Sequence, residues 1–428
     1  MKIIYNKYFP FGPFWATNVL GIIFCRIDKG RLTEVAKNHE YIHTLQQKEM
    51  GYIGFLIWYH IEWLIKWVKY RDKMKAYRNL LFEREAYQMQ YILDYRNQRK
   101  HYAWWYLYAQ PGTLLHDVGC FLGDIKSFIK EDFLWSKYLF AFLMAVSLII
   151  AQVHFNFYDV VMGPSYDNGT SMLVVPSVYI TIYFFVLIAT LFFHKELWRL
   201  RQWQVWVFPL LLIFAEGAGQ GFNAYKEWIN ESTLFFNEKK YLSLVGSFLF
   251  RSVGTITVLC LFRWATTGRF GLYGLTRSTK YLKVYATIYM ILVPIFVLVS
   301  LTPQFLSFYP KMNINYCHGS FGWADWKLIS LFELSYANDF LAVESMFRGA
   351  LIIGLGRWLG PRAILPMALT YMSIHFGKPD LEMCSSVLGG YLLGILAYRT
   401  HHLWGGITIH LGIAMLFEAL GLWMGGPL

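Results

Sequence analysis

Long apolar runs separated by short loops dominate the chain from Trp135 onward. A segment of about 20 mostly apolar residues is needed to cross the hydrocarbon core of a bilayer, and several of these runs reach that length. The runs lie near residues 135–155, 172–193, 204–221, 241–264 and 282–302, and a tighter cluster follows near 326–357, 363–376, 383–399 and 404–424. This pattern predicts a mainly α-helical, polytopic membrane protein.

The first 110 residues follow a different pattern. Val19–Arg26 is a short run of apolar, aromatic and β-branched residues, which predicts a strand. Residues 33–50 predict a helix, with Thr33 as its N-terminal cap and Gly51 as its stop. A small α+β domain therefore precedes the membrane helices.

Two further segments link this domain to the membrane helices. Residues 52–70 are aromatic and apolar but interrupted by charged side chains, which predicts a helix lying in the membrane interface. Residues 71–100 predict a charged helix. The predicted organisation is an N-terminal domain at 1–110, a connector at 111–134, membrane helices at 135–325 and a C-terminal helical core at 326–428.

Composition supports the membrane assignment and limits the partners. Hydrophobic residues make up 56% of the chain and charged residues only 15%, whereas soluble domains carry about 25% charged residues. The net charge of +12 would suit nucleic acid, but the basic residues cluster in loops between apolar runs, as the positive-inside rule describes. Membrane lipids are therefore expected partners and nucleic acid is not. The five cysteines have no paired spacing, which predicts neither a disulfide framework nor a thiolate metal site.

The charge of successive loops predicts an orientation. Loops 194–203 and 263–283 are rich in Lys and Arg, whereas loop 156–171 contains neither and loop 303–325 contains one lysine. The positive-inside rule then puts the N-terminal domain in the cytoplasm, although loop 222–240, with three lysines, fits less well. We expect an integral protein of a bacterial cytoplasmic membrane.

The segment His39-Glu40-Tyr41-Ile42-His43 lies inside the helix predicted at 33–50. Its histidines are one turn apart on one helix face, so that two neutral imidazoles can bind one Zn²⁺. Glu40 would lie beside the metal and can take a proton from a bound water, whose pKa zinc lowers to about 7. A structural zinc site, or two histidines without a metal, are the alternatives that the motif leaves open.

This arrangement resembles the gluzincin metallopeptidases, in particular their minimal membrane-associated forms. A strand precedes the motif, and about forty positions later the chain reads Glu83-Arg84-Glu85-Ala86, similar to the Glu-x-x-Ala context of that family. The resemblance implies one zinc ion held by His39, His43 and Glu83, with Glu40 as general base and Glu85 as the alternative third ligand. The group that would stabilise the transition state stays open, and its candidates are Tyr41, His60, Tyr77 and Tyr87.

A second set of ionisable residues lies in the C-terminal apolar runs. Glu344 and Arg348 are four residues apart and so share a helix face, and His375 and His410 follow on two later helices. Ionisable groups inside membrane segments are costly and usually face an interior cavity. The set therefore predicts a convergent site, and the alternative is a structural Glu–Arg pair with two histidines bound to backbone carbonyls.

The same residues resemble the CPBP (Abi) intramembrane proteases, which include the CAAX prenyl endopeptidases. Their signature is EExxxR on one helix, FxxxH on a second and HxxxN on a third. Glu344 and Arg348 match the first motif, Tyr371-x-x-x-His375 matches the second with Tyr for Phe, and His410 begins the third. The resemblance implies catalytic roles for Glu344, His375 and His410, with Arg348 in support.

The chain departs from that signature at two positions. Val343 stands where the first Glu would be, which removes the expected general base unless Glu344 takes the role. Asp339, one turn earlier, is a weaker candidate. Ala414 stands where the Asn would be, which removes one oxyanion donor, a loss that costs on the order of 10²–10³ in rate.

These observations favour a membrane-bound protease with two sites, acting on membrane proteins or lipidated peptides. A second hypothesis is a catalytically degenerate receptor or scaffold, such as a bacteriocin self-immunity protein, which Val343 and Ala414 favour. A third is a transporter with buried carboxylates, which would explain Glu216 and Arg251 but gives no role to the HEYIH helix. Those two residues could also pair with each other.

Overall fold

The computed structural model describes residues 2–12, 14–107, 114–312 and 317–424. The chain divides into two compact units, Met1–Cys120 and Phe121–Leu428. Residues 108–113, where the predicted N-terminal domain meets the connector, lie outside the described residues, as do residues 313–316 of the predicted loop 303–325.

A three-stranded sheet opens the N-terminal unit. Its strands are β1 (Lys2–Asn6), β2 (Ala16–Val19) and β3 (Ile22–Arg26), in the order β1-β3-β2. Strand β3 pairs parallel with β1 and antiparallel with β2. The prediction of one strand over Val19–Arg26 is wrong, because Leu20 and Gly21 both adopt positive φ and form a tight turn. The Gly21 amide donates to the side chain of Asn18, which closes this turn at 3.1 Å.

Helices complete the N-terminal unit. They are α1 (Glu34–Met50), α2 (Tyr52–Tyr70), α3 (Lys73–Arg78), α4 (Leu81–Met89), α5 (Tyr95–Gln98) and α6 (Leu114–Asp132), the last of which continues into the second unit. The helix predicted at 33–50 is confirmed with both of its ends: the Thr33 hydroxyl accepts from the amide of Ala36 at 3.2 Å, and Gly51 ends α1 at a φ of +65°.

The charged helix predicted at 71–100 is wrong, since the segment forms the three short helices α3, α4 and α5. Long-range contacts with α2 stabilise the break between α3 and α4. The Glu62 carboxylate accepts from the amide of Leu81 at the start of α4, and Lys66 donates both to Glu62 and to the carbonyl of Asn79. A capping interaction of this kind satisfies a helix amide that would otherwise lack a partner.

The second unit is almost entirely helical. Its helices are α7 (Trp135–Val153), α8 (Gly163–Asp167), α9 (Ser171–Phe193), α10 (Gln204–Gly221), α11 (Ala224–Glu231), α12 (Phe236–Thr267), α13 (Leu282–Val299), α14 (Pro303–Leu306), α15 (Asp325–Glu344), α16 (Gly356–Leu359), α17 (Ile364–Ser373), α18 (Asp380–Thr400) and α19 (Trp404–Met424). Within the described ranges, seven helical segments are long and apolar enough to cross a membrane: α7, α9, α10 with α11, α12, α13, α18 and α19. The protein is therefore a mainly α-helical, polytopic membrane protein with a small α+β unit.

The segments predicted near 326–357 and 363–376 differ from a simple span. Helix α15 carries several charged residues and continues as a π-helical stretch over Ser345–Gly354. Helix α17 has only ten residues, about 15 Å of helix, which is too short to cross the bilayer by itself. The π-helical stretch and α17 are nevertheless among the most buried elements of the unit, and every residue of α17 is buried. π-Helical turns are frequent at functional sites.

Candidate functional sites

Helix α1 buries a face that is almost entirely polar. Its eight buried residues are Asn38, His39, Glu40, Ile42, His43, Thr44, Gln46 and Gln47, and only one of them is apolar. Buried polar groups need hydrogen-bond partners, and most of this face has them. Asn18 donates to the Glu40 carbonyl and to Thr44 at 2.6 Å each, and Asn38 donates to the carbonyl of Gln90 at 2.9 Å.

Three buried polar atoms on and beside this face are exceptions. His39 Nδ1, Glu40 Oε2 and Glu83 Oε2 are buried and have no hydrogen-bond partner among the described residues. The Nε2 atoms of His39 and His43 lie 3.2 Å apart, and the Glu83 carboxylate lies 3.5 Å from the first and 3.4 Å from the second. In the described part of the chain, this is the one group of His, Cys, Asp and Glu side chains whose ligand atoms all fall within 4.8 Å of one another.

The dimensions of this triad fit a zinc ion. Ligand atoms about 2.05 Å from a tetrahedral zinc are themselves ~3.3 Å apart, close to the separations seen between His39, His43 and Glu83. Two imidazole acceptors and a carboxylate that face one point repel each other unless a cation or a proton lies between them. The donor set of two histidines and one glutamate is one of the sets that catalytic zinc sites use.

A chain of side chains behind His43 fixes its tautomer. His43 Nδ1 lies 2.7 Å from Gln46 Oε1, while the Gln46 amide nitrogen donates to the Phe82 carbonyl and, at 2.9 Å, to Glu85. The Gln46 oxygen can only accept, so His43 Nδ1 carries a proton, which leaves Nε2 as the ring nitrogen that faces the triad and can bind an ion once it is deprotonated. Glu85 is bound by Arg99 at 2.6 Å. The structure therefore places Glu83 in the triad and Glu85 behind it.

Electrostatics in the buried triad follow from its composition. Burial favours the neutral form of Glu83, but His43 and His39 outweigh it and hold the pKa of Glu83 below its ordinary value. Although burial opposes protonation of His43, the Glu83 carboxylate raises the pKa of His43 to about 9. Burial raises the pKa of Glu40, against the pull of both histidines. A carboxyl with a raised pKa is a better proton acceptor than an ordinary glutamate.

Some of the candidate tyrosines contact the triad and others do not. The Tyr59 hydroxyl donates to Glu83 at 2.8 Å, a contact that the sequence reasoning missed and for which the sequence offers no signal. The ring of Tyr87 lies 4.6 Å from that of His39, and Tyr77 interacts with Glu83. The other two candidates for the stabilising group lie elsewhere: the Tyr41 ring contacts Arg96, and the exposed His60 bonds to the carbonyl of Leu56.

The second candidate site lies in the C-terminal unit, where Glu344 joins two predicted partners. Glu344 is fully buried, and its Oε1 lies 3.0 Å from Arg348 and 2.9 Å from His410 Nδ1. Its Oε2 faces Gly406, where an added Cβ would lie only 2.2 Å away. The side chain at 406 must therefore be a hydrogen atom for α19 to approach Glu344 this closely.

Tyr371 connects His410 to His375. The Tyr371 hydroxyl lies 3.1 Å from His410 Nε2, and the Arg348 guanidinium lies over its ring at 3.9 Å. The backbone carbonyl of the same residue is 2.9 Å from His375 Nδ1. The structure thus brings together all four predicted residues around Tyr371. The alternative of two histidines bound to backbone carbonyls describes His375 but not His410.

The two residues that depart from the CPBP signature lie in apolar surroundings. Val343 and Ala414 are each 5% exposed and pack in apolar clusters. Asp339 forms an ion pair with Arg251, with 2.6 Å between Oδ1 and Nε. The alternative that Arg251 pairs with Glu216 is therefore wrong; the Glu216 carboxylate accepts from Thr255.

One carboxylate near this site was not predicted. Glu382, in the first turn of α18, lies with its Oε1 3.9 Å from His375 Nε2. Lys378 donates to the same oxygen at 2.7 Å, and the Tyr309 hydroxyl donates to Oε2 at 3.1 Å. Lys378 and Glu382 are four residues apart, a local signal of an ion pair. Their contact with His375 depends on the turn between α17 and α18.

Comparison with known proteins gives a match in the C-terminal unit alone. Residues 326–416 match the family described as Type II CAAX prenyl endopeptidase Rce1-like. The matched segment runs from α15 into α19 and contains Glu344, Arg348, His375 and His410, while the N-terminal unit lies outside it. No curated protein and no solved structure matches the chain.

Proposed function

We propose that the protein is a membrane-bound peptidase with a zinc site in its N-terminal unit and a glutamate- and histidine-dependent site in its C-terminal unit. The observation that carries this proposal is the buried triad of His39, His43 and Glu83, whose ligand atoms are spaced as tetrahedral zinc requires. The family match at 326–416 supports peptidase chemistry in the second unit. The substrates we propose are membrane proteins or lipidated peptides.

In the N-terminal unit, His39, His43 and Glu83 would hold the ion. When bound, zinc polarises a carbonyl oxygen and lowers the pKa of a coordinated water. Glu40 lies beside the triad with one carboxylate oxygen unpartnered among the described residues, and we assign it the transfer of a proton from water to the leaving amine. Gln46 keeps the His43 lone pair directed at the ion.

In the C-terminal unit, His410 would stabilise the oxyanion that develops on the substrate carbonyl. Glu344 holds the ring at Nδ1, and Nε2, which contacts the Tyr371 hydroxyl, is the nitrogen that would donate to the oxyanion when the ring is protonated. Glu344 acts through His410 as a positioning residue, and Arg348 neutralises its charge. We assign His375 a role at the attacking water.

Zinc content and hydrolysis test the two sites separately. The detergent-purified protein is expected to contain about one zinc per chain, which His43→Ala removes and the matched control His60→Ala retains. Hydrolysis of an internally quenched soluble peptide should be lost in Glu40→Ala, and that of a farnesylated peptide in proteoliposomes should be lost in His375→Ala. A wild-type protein that binds no zinc when the apo form is offered the metal would remove the first site from the proposal.

A second candidate function is that of a receptor or scaffold, such as a self-immunity protein. The observation that favours it is that Val343 and Ala414 are apolar and buried where the resembling family has polar groups. Under this function, a Glu40→Ala, His375→Ala double variant would protect cells from a peptide toxin as well as the wild type does. Under the peptidase function, the same variant would lose its activity on both peptides.

A further inference from the structure

The turn between α17 and α18 makes two hydrogen-bond acceptors face each other. His375 Nδ1 lies 2.9 Å from the Tyr371 carbonyl, and a carbonyl can only accept, so this nitrogen carries the proton. In the neutral imidazole, Nε2 is then an acceptor. The nearest charged oxygen is Glu382 Oε1, at 3.9 Å. This separation is too long for a direct hydrogen bond, and it suits one water molecule that donates a hydrogen bond to each group.

We propose that Glu382 is a catalytic base of the C-terminal site and that, with His375, it binds and activates the water that attacks the peptide carbonyl. This inference rests on the proposed peptidase function and names the group that the site would otherwise lack. It assigns Glu382 the role that the resemblance would give to a carboxylate at position 343.

Glu344 is poorly placed for this role. Its side chain is fully buried, and its Oε1 is shared by Arg348 and His410. Its Oε2 faces the backbone of Gly406 so closely that even a methyl group would not fit. A base must lie within hydrogen-bond reach of the proton it removes, and the surroundings of Glu344 leave no room for a water and a substrate.

Glu382 has the properties that Glu344 lacks. Its side chain is 21% exposed, so water and substrate can reach it. Lys378 and Tyr309 each donate to one of its oxygens, which fixes the orientation of the carboxylate. The lone pairs that remain on Oε1 are available to a water molecule on the side of His375.

The proposed reaction is the hydrolysis of an amide. The water oxygen forms a bond to the carbonyl carbon, the π electron pair moves to the carbonyl oxygen, and the proton of the water passes to Glu382. Collapse of the tetrahedral intermediate breaks the C–N bond, and the proton on Glu382 passes to the departing nitrogen. These steps give a carboxylic acid and an amine, and the acid then passes its proton to the amine through solvent, which leaves one carboxylate and one ammonium group. Glu382 and His375 return to their starting states.

The test uses the full chain in proteoliposomes, with Glu40→Ala in all variants to silence the N-terminal site. The probe is an internally quenched peptide with a farnesylated cysteine four residues from its C-terminus. Glu382→Gln is expected to lower kcat by ~10²-fold or more with little change in KM, since general bases contribute about 10²–10⁴-fold. Asp380→Asn, which changes an exposed carboxylate in the same helical turn, is the matched control and should retain wild-type kcat.

Chemical rescue distinguishes a base from a structural carboxylate. Added formate should restore kcat of Glu382→Ala by roughly tenfold or more, because a small carboxylate can take the place of the missing side chain. Formate should not rescue His375→Ala. If Glu382→Gln does not fold, Glu382→Asp provides a second variant, because it keeps the negative charge but moves the carboxylate away from His375 by one methylene. Its kcat should still fall, with an unchanged unfolding midpoint.

Two results would overturn the inference, and they differ in what they leave standing. If His375→Ala abolishes hydrolysis while folded Glu382→Gln or Glu382→Asp keeps kcat within about threefold of wild type, Glu382 is not the base and the proposed function stands. If the wild type shows no hydrolysis that His375→Ala removes, the proposed function of the C-terminal site fails and this inference fails with it.

Discussion

Gly406→Ala should damage the C-terminal site without touching any of its reacting groups. The added Cβ would lie 2.2 Å from Glu344 Oε2, whereas non-bonded atoms in contact keep about 3.5 Å apart. Either the carboxylate or helix α19 must therefore move by roughly 1 Å. The displacement acts directly on His410, which belongs to the same helix and lies 2.9 Å from Glu344.

The magnitude follows from two known costs. Overpacking a well-packed interior costs about 1–3 kcal/mol, so the unfolding midpoint in detergent should fall measurably. A misplacement of about 1 Å at a reacting centre can cost on the order of 10²-fold in rate, so kcat for the farnesylated peptide should fall by that factor.

Gly389→Ala is the matched control, because a Cβ at that helical glycine meets no atom within 4 Å. The assay compares unfolding midpoints and kcat for the two alanine variants in the same detergent and liposomes. Gly389→Ala should keep wild-type kcat, and its helix propensity changes stability by at most about 1 kcal/mol. If Gly406→Ala matched this control in both readouts, the close approach of α19 to Glu344 would not matter, and the described geometry of the site would be refuted.

Three further predictions concern the side chains around the two sites. Gln46→Ala should weaken zinc binding about 10- to 100-fold, measured by competition with a fluorescent chelator, because it frees His43 Nδ1; unchanged affinity would contradict the role given to Gln46. Glu344→Ala should cost about 3–5 kcal/mol of unfolding free energy, because it leaves the buried Arg348 unpaired; Glu344→Ala combined with Arg348→Met should recover much of this loss, and equal instability of the single and double variants would contradict it. Tyr371→Phe should lower kcat roughly 2- to 10-fold with KM unchanged, the equivalent of one lost hydrogen bond, and a wild-type kcat would argue against a role for the hydroxyl.

Local sequence periodicity accounted well for the elements that depend on few distant contacts. The helix over 33–50 could be predicted because Thr33, the i,i+4 histidines and Gly51 all act within one helix. Membrane helices such as Ser171–Phe193 and Trp404–Met424 could be predicted within a few residues because apolar length is the whole signal. Convergence of the C-terminal residues could be predicted because ionisable groups in lipid must find partners.

The features that sequence reasoning missed depend on contacts between distant residues. The break between α3 and α4 is stabilised by Glu62 of another helix. Arg251 pairs with Asp339, 88 positions away. Tyr309 meets Glu382 across 73 positions. No single-sequence pattern encodes such pairs, because only tertiary packing brings their side chains together.

The chain of contacts that ends at Arg99 would couple the proposed zinc site of the N-terminal unit to the segment around Arg99. Arg99 bonds to Glu85 and Glu49, Glu85 bonds to Gln46, and Gln46 bonds to His43. The proposed zinc ion, which would prefer the ordered triad, would therefore stabilise the docking of the segment around Arg99, and this docking would strengthen ion binding by the same free energy. Chelation would then be felt well beyond the triad, as faster amide exchange and earlier proteolytic cleavage in the segment that follows α4.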